Sequence, residues 1–319
     1  MNAGEAPHPD RDPRNDLSPL CRTHRPAPSS AYSPYAVQTL STVRRIGIMG
    51  DLHGDLGHAL QAFRAFADRS VHVIVQLGDW GVLWPGRTWQ IDLNKISRAL
   101  GRHQMTMFFL DGNHDWHPKL LEYPVDPDGM RWITANIAHL PRGYRAQIGG
   151  RSTLAALGGA NSIDRELRKE GISWWPEEQI TEGDLRRLGT ERADVLVGHE
   201  APLMDEPDLD RRARDLGFST GDIRYAAESR GMFRRAVLQT RPQLTLGGHY
   251  HHFHDQVLTV PGASYLTRVV VLDMNGKNRV NLAILDTATL GLEFLYRNGA
   301  PVVPDAHEPE RTDDGRPGS

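Results

Sequence analysis

Short apolar runs recur along the middle of the chain, and most of them end in a glycine turn followed by a polar residue. Residues 46–49, 71–77, 105–110, 153–157, 194–197 and 244–246 read as strands. The run 71–77 is nearly continuous in apolar residues, which predicts burial on both faces of a sheet. Between the first two runs, Leu56, Leu60, Phe63 and Ala67 fall on one stripe of a helix over 56–68. Further helices are predicted over 91–100, 176–188 and 222–238. After Gly248 the pattern turns to strands alone, over 256–260, 266–272, 281–286 and 290–296. A βαβ beginning and a β-rich end predict an α/β fold with two packed mixed β-sheets flanked by helices.

The two ends of the chain differ from its middle. Residues 1–40 hold seven prolines, several charges and few large apolar side chains. Residues 299–319 carry Pro301, Pro304, Pro309 and Pro317 with an acidic bias. Such segments bury too little apolar surface to offset their ordering entropy, so both are read as disordered tails around one domain, 41–298.

Composition narrows the function classes. A net charge of −3 over 319 residues supplies no basic field for nucleic acid. No apolar run approaches the ~18–20 residues of a membrane span, and the N-terminus lacks a secretory pattern. Cys21 is the only cysteine, which excludes an intrachain disulfide and thiolate metal sites and suits a reducing compartment. The expectation is a cytoplasmic protein without a membrane partner, of open oligomeric state.

Five short motifs carry the candidate chemistry. In chain order they are Gly50-Asp51-Leu52-His53-Gly54-Asp55, Gly78-Asp79, Gly112-Asn113-His114-Asp115, Gly198-His199 and Gly248-His249-Tyr250-His251. Each follows a strand-like run, so an α/β fold would gather them at one edge of its sheets. Taken singly, any of these histidines is an ordinary polar loop residue. Five of them on matching glycine-flanked turns point to a metal site. Carboxylate, amide oxygen and imidazole without thiolate suit borderline-to-hard cations such as Mn²⁺, Fe or Zn²⁺.

This ordered series resembles the calcineurin-like metallophosphoesterase superfamily over residues 51–251. The resemblance implies a four-layer sandwich with a dinuclear metal site at the strand ends. It places Asp51, His53 and His251 on one metal, and Asn113, His199 and His249 on the other, with Asp79 bridging. His114 would face the leaving group as general acid, and Asn113 would also border the substrate. A shared carboxylate can hold two cations ~3.5–4 Å apart, and water bound to such a pair is acidified toward neutral pH. The implied activity is hydrolysis of a small phosphomonoester or phosphodiester.

One departure bears on the substrate. Phosphoprotein phosphatases of this superfamily carry an acid and an arginine three and four positions after the bridging aspartate, where this chain has Val82 and Leu83. Their phosphate-binding arginine after Asn-His is replaced by Trp116. A serine/threonine phosphoprotein phosphatase is therefore the lesser alternative, as is a non-catalytic scaffold, since every motif position is filled. Replacement phosphate contacts are sought in 158–168, where Arg165 is the first candidate and Arg168, three residues on, the second. Trp80, Trp84, Trp174 and Trp175 are candidates either for core packing or for stacking a ring. Asp55 and Asp115 are expected to support ligating histidines or simply to form turns.

Overall fold

Apolar residues on both faces of the strands force a layered architecture, because each sheet must be covered twice. In the computed structural model, which describes residues 39–86, 88–202 and 206–302, that covering is complete. The expected tails lie, over 1–38 and 303–319, outside the described residues. Elements are numbered in chain order. The first sheet holds β1 (Arg45–Met49), β2 (Val73–Gln76), β3 (Thr106–Phe109), β4 (Arg131–Thr134), β5 (Ile137–His139), β12 (Leu282–Asp286) and β13 (Leu292–Leu295). Its order is β13-β12-β1-β2-β3-β5-β4. The second holds β6 (Arg145–Ile148), β7 (Ser152–Leu157), β8 (Val195–Gly198), β9 (Leu244–Gly247), β10 (His254–Leu258) and β11 (Thr267–Val271), ordered β10-β11-β9-β8-β7-β6.

The two sheets pack face to face. Ile46 and Ile48 of β1 and Val73 and Val75 of β2 share one buried cluster with Leu154, Val195, Leu246 and Val270 of the second sheet. The alternate side chains Met49 and Ile74 pack instead with Phe63 and Phe66 of α1 (Leu56–Ala67) and with Ile96 and Leu100 of α2 (Trp89–Arg102). The opposite outer face packs Ala155 and Leu196 against Leu185 of α4 (Glu182–Leu188) and Phe233 and Val237 of α6 (Thr220–Thr240). The result is helix, sheet, sheet, helix. Strands β1, β2, β3 and β5 run parallel, as do β7, β8, β9 and β11. The glycine turns therefore leave the carboxyl ends of parallel strands, where open α/β sheets place their sites.

The late β-only stretch divides between the sheets. β10 and β11 extend the second, whereas β12 returns to pair antiparallel with β1. Some elements were not foreseen. β4 is half-buried along its length and pairs through an irregular register, and β5 and β6 are short. Short runs of this kind carry too few residues for a period to register. The remaining helices are α5 (Glu206–Asp215) and the brief α3 (His117–Leu121). The helix expected over 176–188 is two pieces: a 3₁₀ turn, Pro176–Glu178, and α4. Thr181 interrupts it with a capping box, exchanging hydrogen bonds with Asp184, which starts a new helix instead of continuing the old. No helix among the described residues is long and apolar enough to cross a membrane.

The packed region passes both expected boundaries. Leu40 is 3% exposed, joins the inter-sheet core, and its carbonyl accepts from Gly149 N–H. At the other end Arg69 donates to the Gly299 carbonyl and Val302 N–H donates to Phe294. A fully buried leucine contributes roughly 1.5–3 kcal/mol. A chain trimmed to 41–298 should accordingly melt about 5–10 °C below one trimmed to 39–302, as read by calorimetry. Equal melting temperatures would show that these end residues add nothing to the domain.

Candidate metal centre

Asp79 leaves β2 through Gly78 in a left-handed conformation, φ 53°. His53, His249 and His251 share that unfavourable backbone region, with φ of 46°, 69° and 55°. Four of the eight described non-glycine residues with positive φ are thus candidate ligands. Strain of this sort persists only where surrounding structure enforces it, and it gathers at functional sites. Here the enforcement is a knot of loop hydrogen bonds. Leu52 and His53 N–H donate to the Asp79 carbonyl, and Gly54 N–H donates to Trp80. The buried Gln76 side chain accepts from Gly78 N–H and donates to the Gly50 carbonyl, tying two of the turns together.

The turns bring one ligand atom each from Asp51, His53, Asp79 and His251 within 4.8 Å of one another. His53 Nε2 lies 3.3 Å from Asp79 Oδ2, and His251 Nε2 lies 3.3 Å from Asp51 Oδ2. On the other side of Asp79, His199 Nε2 is 3.3 Å from Oδ1 and 3.1 Å from the Asn113 amide oxygen. His249 packs against His199 with ring centroids 5.1 Å apart, while its backbone N–H reaches both Asp51 oxygens. Asp51, His53 and His251 thus lie on one side of Asp79 and His199 and Asn113 on the other, with His249 against His199. Glycine makes the approach possible. A Cβ on Gly112 would sit 2.2 Å from Asp79 Oδ1, and one on Gly248 would sit 2.2 Å from Asp51 Oδ1.

Supporting residues set which atom faces inward. His199 Nδ1 is 2.9 Å from the Leu77 carbonyl, so it carries the proton there and presents Nε2 to the centre. The Asn113 amide nitrogen donates to Ser162 Oγ, whose hydroxyl donates to Glu178, so the amide oxygen is the inward atom. His53 Nδ1 is 3.4 Å from the Asn275 side-chain oxygen, and Asn275 donates in turn to Asp55. Asn281 donates to the Asp51 carbonyl and faces the buried His58. Asp115 forms a turn: it accepts from Gly81 and Gly112 N–H and fastens the second motif to the third. Gln76, Ser162, Glu178, Asn275 and Asn281 were not singled out from sequence. Only Gln76 left a trace there, as a polar residue inside an apolar strand.

Electrostatics follow from burying this much charge. Asp79 is fully buried, yet the neighbouring histidines 199, 114 and 53 overcome that burial and hold its carboxyl well below the usual range. Burial also disfavours charge on His199, but the Asp79 and Asp51 carboxylates outweigh it and push the imidazole up to about 10. Burial pushes Asp115 up to about 7, reinforced by the charge on Asp79. Asp79 Oδ2 is buried without a well-aligned donor among the described residues. Two carboxylates, an amide oxygen and inward imidazole nitrogens fit divalent cations.

His114 follows Asn113 and stands at the edge of this centre. Its backbone N–H donates to Asp79 Oδ1 at 2.6 Å, and its ring lies 5.2 Å from that of His53. Arg168 Nη2 is 2.7 Å from His114 Nε2, with the guanidinium held by Asp164 and the Ser173 carbonyl. Burial lowers the His114 pKa, aided by Arg168 and opposed by Asp79. Arg165 is elsewhere: its guanidinium stacks 4.4 Å from the Trp174 ring and 5.5 Å from Tyr225. Of the two arginines weighed from sequence, the second is the one touching His114.

The family model for calcineurin-like phosphoesterases matches residues 44–253. The chain belongs to that family. Its members depend on a dinuclear metal centre, and they form a family of phosphate-ester hydrolases. Similar solved structures include TT1561 of Thermus thermophilus, at 17% identity and TM-score 0.49, covering 80% of this chain and 100% of that one. A second is a novel archaeal phosphodiesterase, at 14% identity and TM-score 0.38, covering 79% and 99%. A third is purple acid phosphatase PPD1 of yellow lupin, Lupinus luteus, at 12% identity and TM-score 0.46, covering 85% and 54%. No curated protein matches the chain.

A proton and a metal compete for the same lone pair of His199. Because that histidine holds its proton up to about pH 10 in the metal-free protein, Mn²⁺ binding at pH 8 should release it, and affinity should weaken as pH falls. Calorimetric titration in buffers of different ionisation enthalpy reads both effects. A pH-independent affinity with no proton release would remove His199 from the ligand set.

Proposed function

We propose that this protein is a metal-dependent phosphoesterase of small substrates, with His114 as general acid and Arg168 as the phosphate contact. The observation that carries the reading is the placement of His114. It is pinned to Asp79 through its backbone and touched by an arginine, at the rim of the cluster of Asp51, His53, Asp79 and His251, with His199 beside the other Asp79 oxygen. Two cations held by Asp51, His53, Asp79, Asn113, His199, His249 and His251 would acidify water and screen phosphoryl charge. The remaining work falls to the chain. Arg168, its side chain one-tenth exposed and braced by Asp164, offers a guanidinium to the phosphoryl oxygens. As Arg168 passes its hydrogen bond from His114 Nε2 to the phosphoryl group, that nitrogen would be free to carry a proton to the departing ester oxygen, which is a poor leaving group as a bare alkoxide.

A small ester suits the site better than a phosphoprotein. Val82 and Leu83, at the positions where phosphoprotein phosphatases carry an acid and an arginine, are 6% and 2% exposed and belong to the helix-side core. Trp116 is the residue before α3, and its N–H is used by the Leu83 carbonyl. Arg168 reaches the site from another loop instead, which supports a phosphate-ester substrate without that signature.

A panel of phosphomonoesters and phosphodiesters, assayed on protein reloaded separately with Mn²⁺, Fe²⁺ and Zn²⁺, tests the activity. Turnover of neither class under any metal would leave the scaffold reading in its place. Roles are separated by substitution. His114→Asn should retain its metals and lose about 10²–10⁴-fold in kcat on alkyl phosphates, with a smaller loss on p-nitrophenyl phosphate. Equal losses on the two would reject proton donation. Arg168→Ala should cost roughly 10–10²-fold in kcat/KM on both substrates, the scale of one charged hydrogen bond.

A further inference from the structure

Four tryptophans stand out in the sequence around the motifs, and three of them are core. Trp80 is fully buried, and Trp174 and Trp175 are 6% and 4% exposed. Trp84 alone of the four is partly exposed. It ends the Gly78–Trp84 loop that begins with the candidate bridging aspartate, and its N–H is held by the Val82 carbonyl. Trp175 props it edge-on, with centroids 5.3 Å apart and planes at 85°. Its indole then lies 6.4 Å from the His114 ring, tilted by only 30°.

We propose that Trp84 stacks a planar ring carried by the leaving group, so that the substrate is a phosphate ester of a nucleoside-like or aryl alcohol. The inference rests on reading His114 as the group that faces the leaving oxygen. Whatever is attached to that oxygen extends past His114, and the neighbouring surface there is an indole held rigid by a second indole. A rigid aromatic plane loses little entropy when a ring settles on it, and it recognises any π-face without needing hydrogen bonds. The phosphate end is met by charge, from Arg168. The leaving-group end is met by an aromatic surface in an otherwise ionic site. That division of labour selects for a ring rather than for an open-chain alcohol.

The test uses the full-length, Mn²⁺-loaded protein and two ligands that cannot be hydrolysed. These are the methylenephosphonate analogues of adenosine 5′-monophosphate and of baseless ribose 5-phosphate, which differ only in the ring. Calorimetry should show the adenosine analogue binding roughly tenfold or more tightly, the scale of one stacked base. Trp84→Leu should bring the ratio of the two dissociation constants close to one, and Trp84→Phe should keep most of it. Arg168→Ala should weaken both ligands by a similar factor and leave the ratio intact. Equal binding of the two by the unaltered protein would overturn the ring proposal while leaving the phosphate reading standing. So would a ratio that Trp84→Leu does not change, which would assign Trp84 to packing. Binding of neither ligand would overturn the phosphate reading, and the ring proposal with it.

Discussion

The structure is organised around one buried carboxylate. Asp79 has no exposed surface, and a lone ionised carboxylate in such a place is untenable without compensating charge. The compensation arrives from other turns: His53, His199, the backbone of His114, and the close approach that Gly112 allows. One oxygen remains without a well-aligned donor even so. Together with Asp51, His53 and His251, that carboxylate forms a donor set that could hold a metal ion.

Holding that arrangement requires rigidity from outside the motifs. The left-handed conformations of His53, Asp79, His249 and His251 are each uphill. They are sustained by hydrogen bonds between loops and by polar side chains anchored in the layers beneath. A second buried ion network serves the same end. Asp111, just before the third motif, is bound by His139 of β5 and Arg142, and its carbonyl accepts from Gly159 N–H. It links the loop of the first sheet to the loop that delivers Ser162 and Arg168. Breaking a buried pair of this type by removing one partner characteristically costs several kcal/mol. The distance between the two sheets' loops is thereby set by charge as well as by the apolar core.

Much of this was legible along the chain. The glycine turns, the order of Asp, Asn and His residues, and the strands before them lie in contiguous stretches. Local sequence specifies such turns, because only glycine tolerates neighbours at 2.2 Å from its would-be Cβ. The two-sheet α/β class followed from where helical stripes give way to strands. Less legible were β4, β5 and β6, whose short or half-buried segments carry no clear period, and the break at Thr181, a cap hidden within an apolar pattern.

The sequence by itself determined which residues could meet a metal, because ligand identity and the turn that presents it are local properties. Tertiary structure decided which other residues would matter. Arg165 was the first candidate from the sequence, with Arg168 three residues on in the same loop. Only packing sends one onto Trp174 and the other onto His114. Asn275 and Asn281 lie over two hundred positions from the residues they support. They meet them because β12 turns back to pair with β1. Contacts between strands distant in the chain depend on which edge of a sheet remains open. That is a property of the assembled layers, and no single segment encodes it.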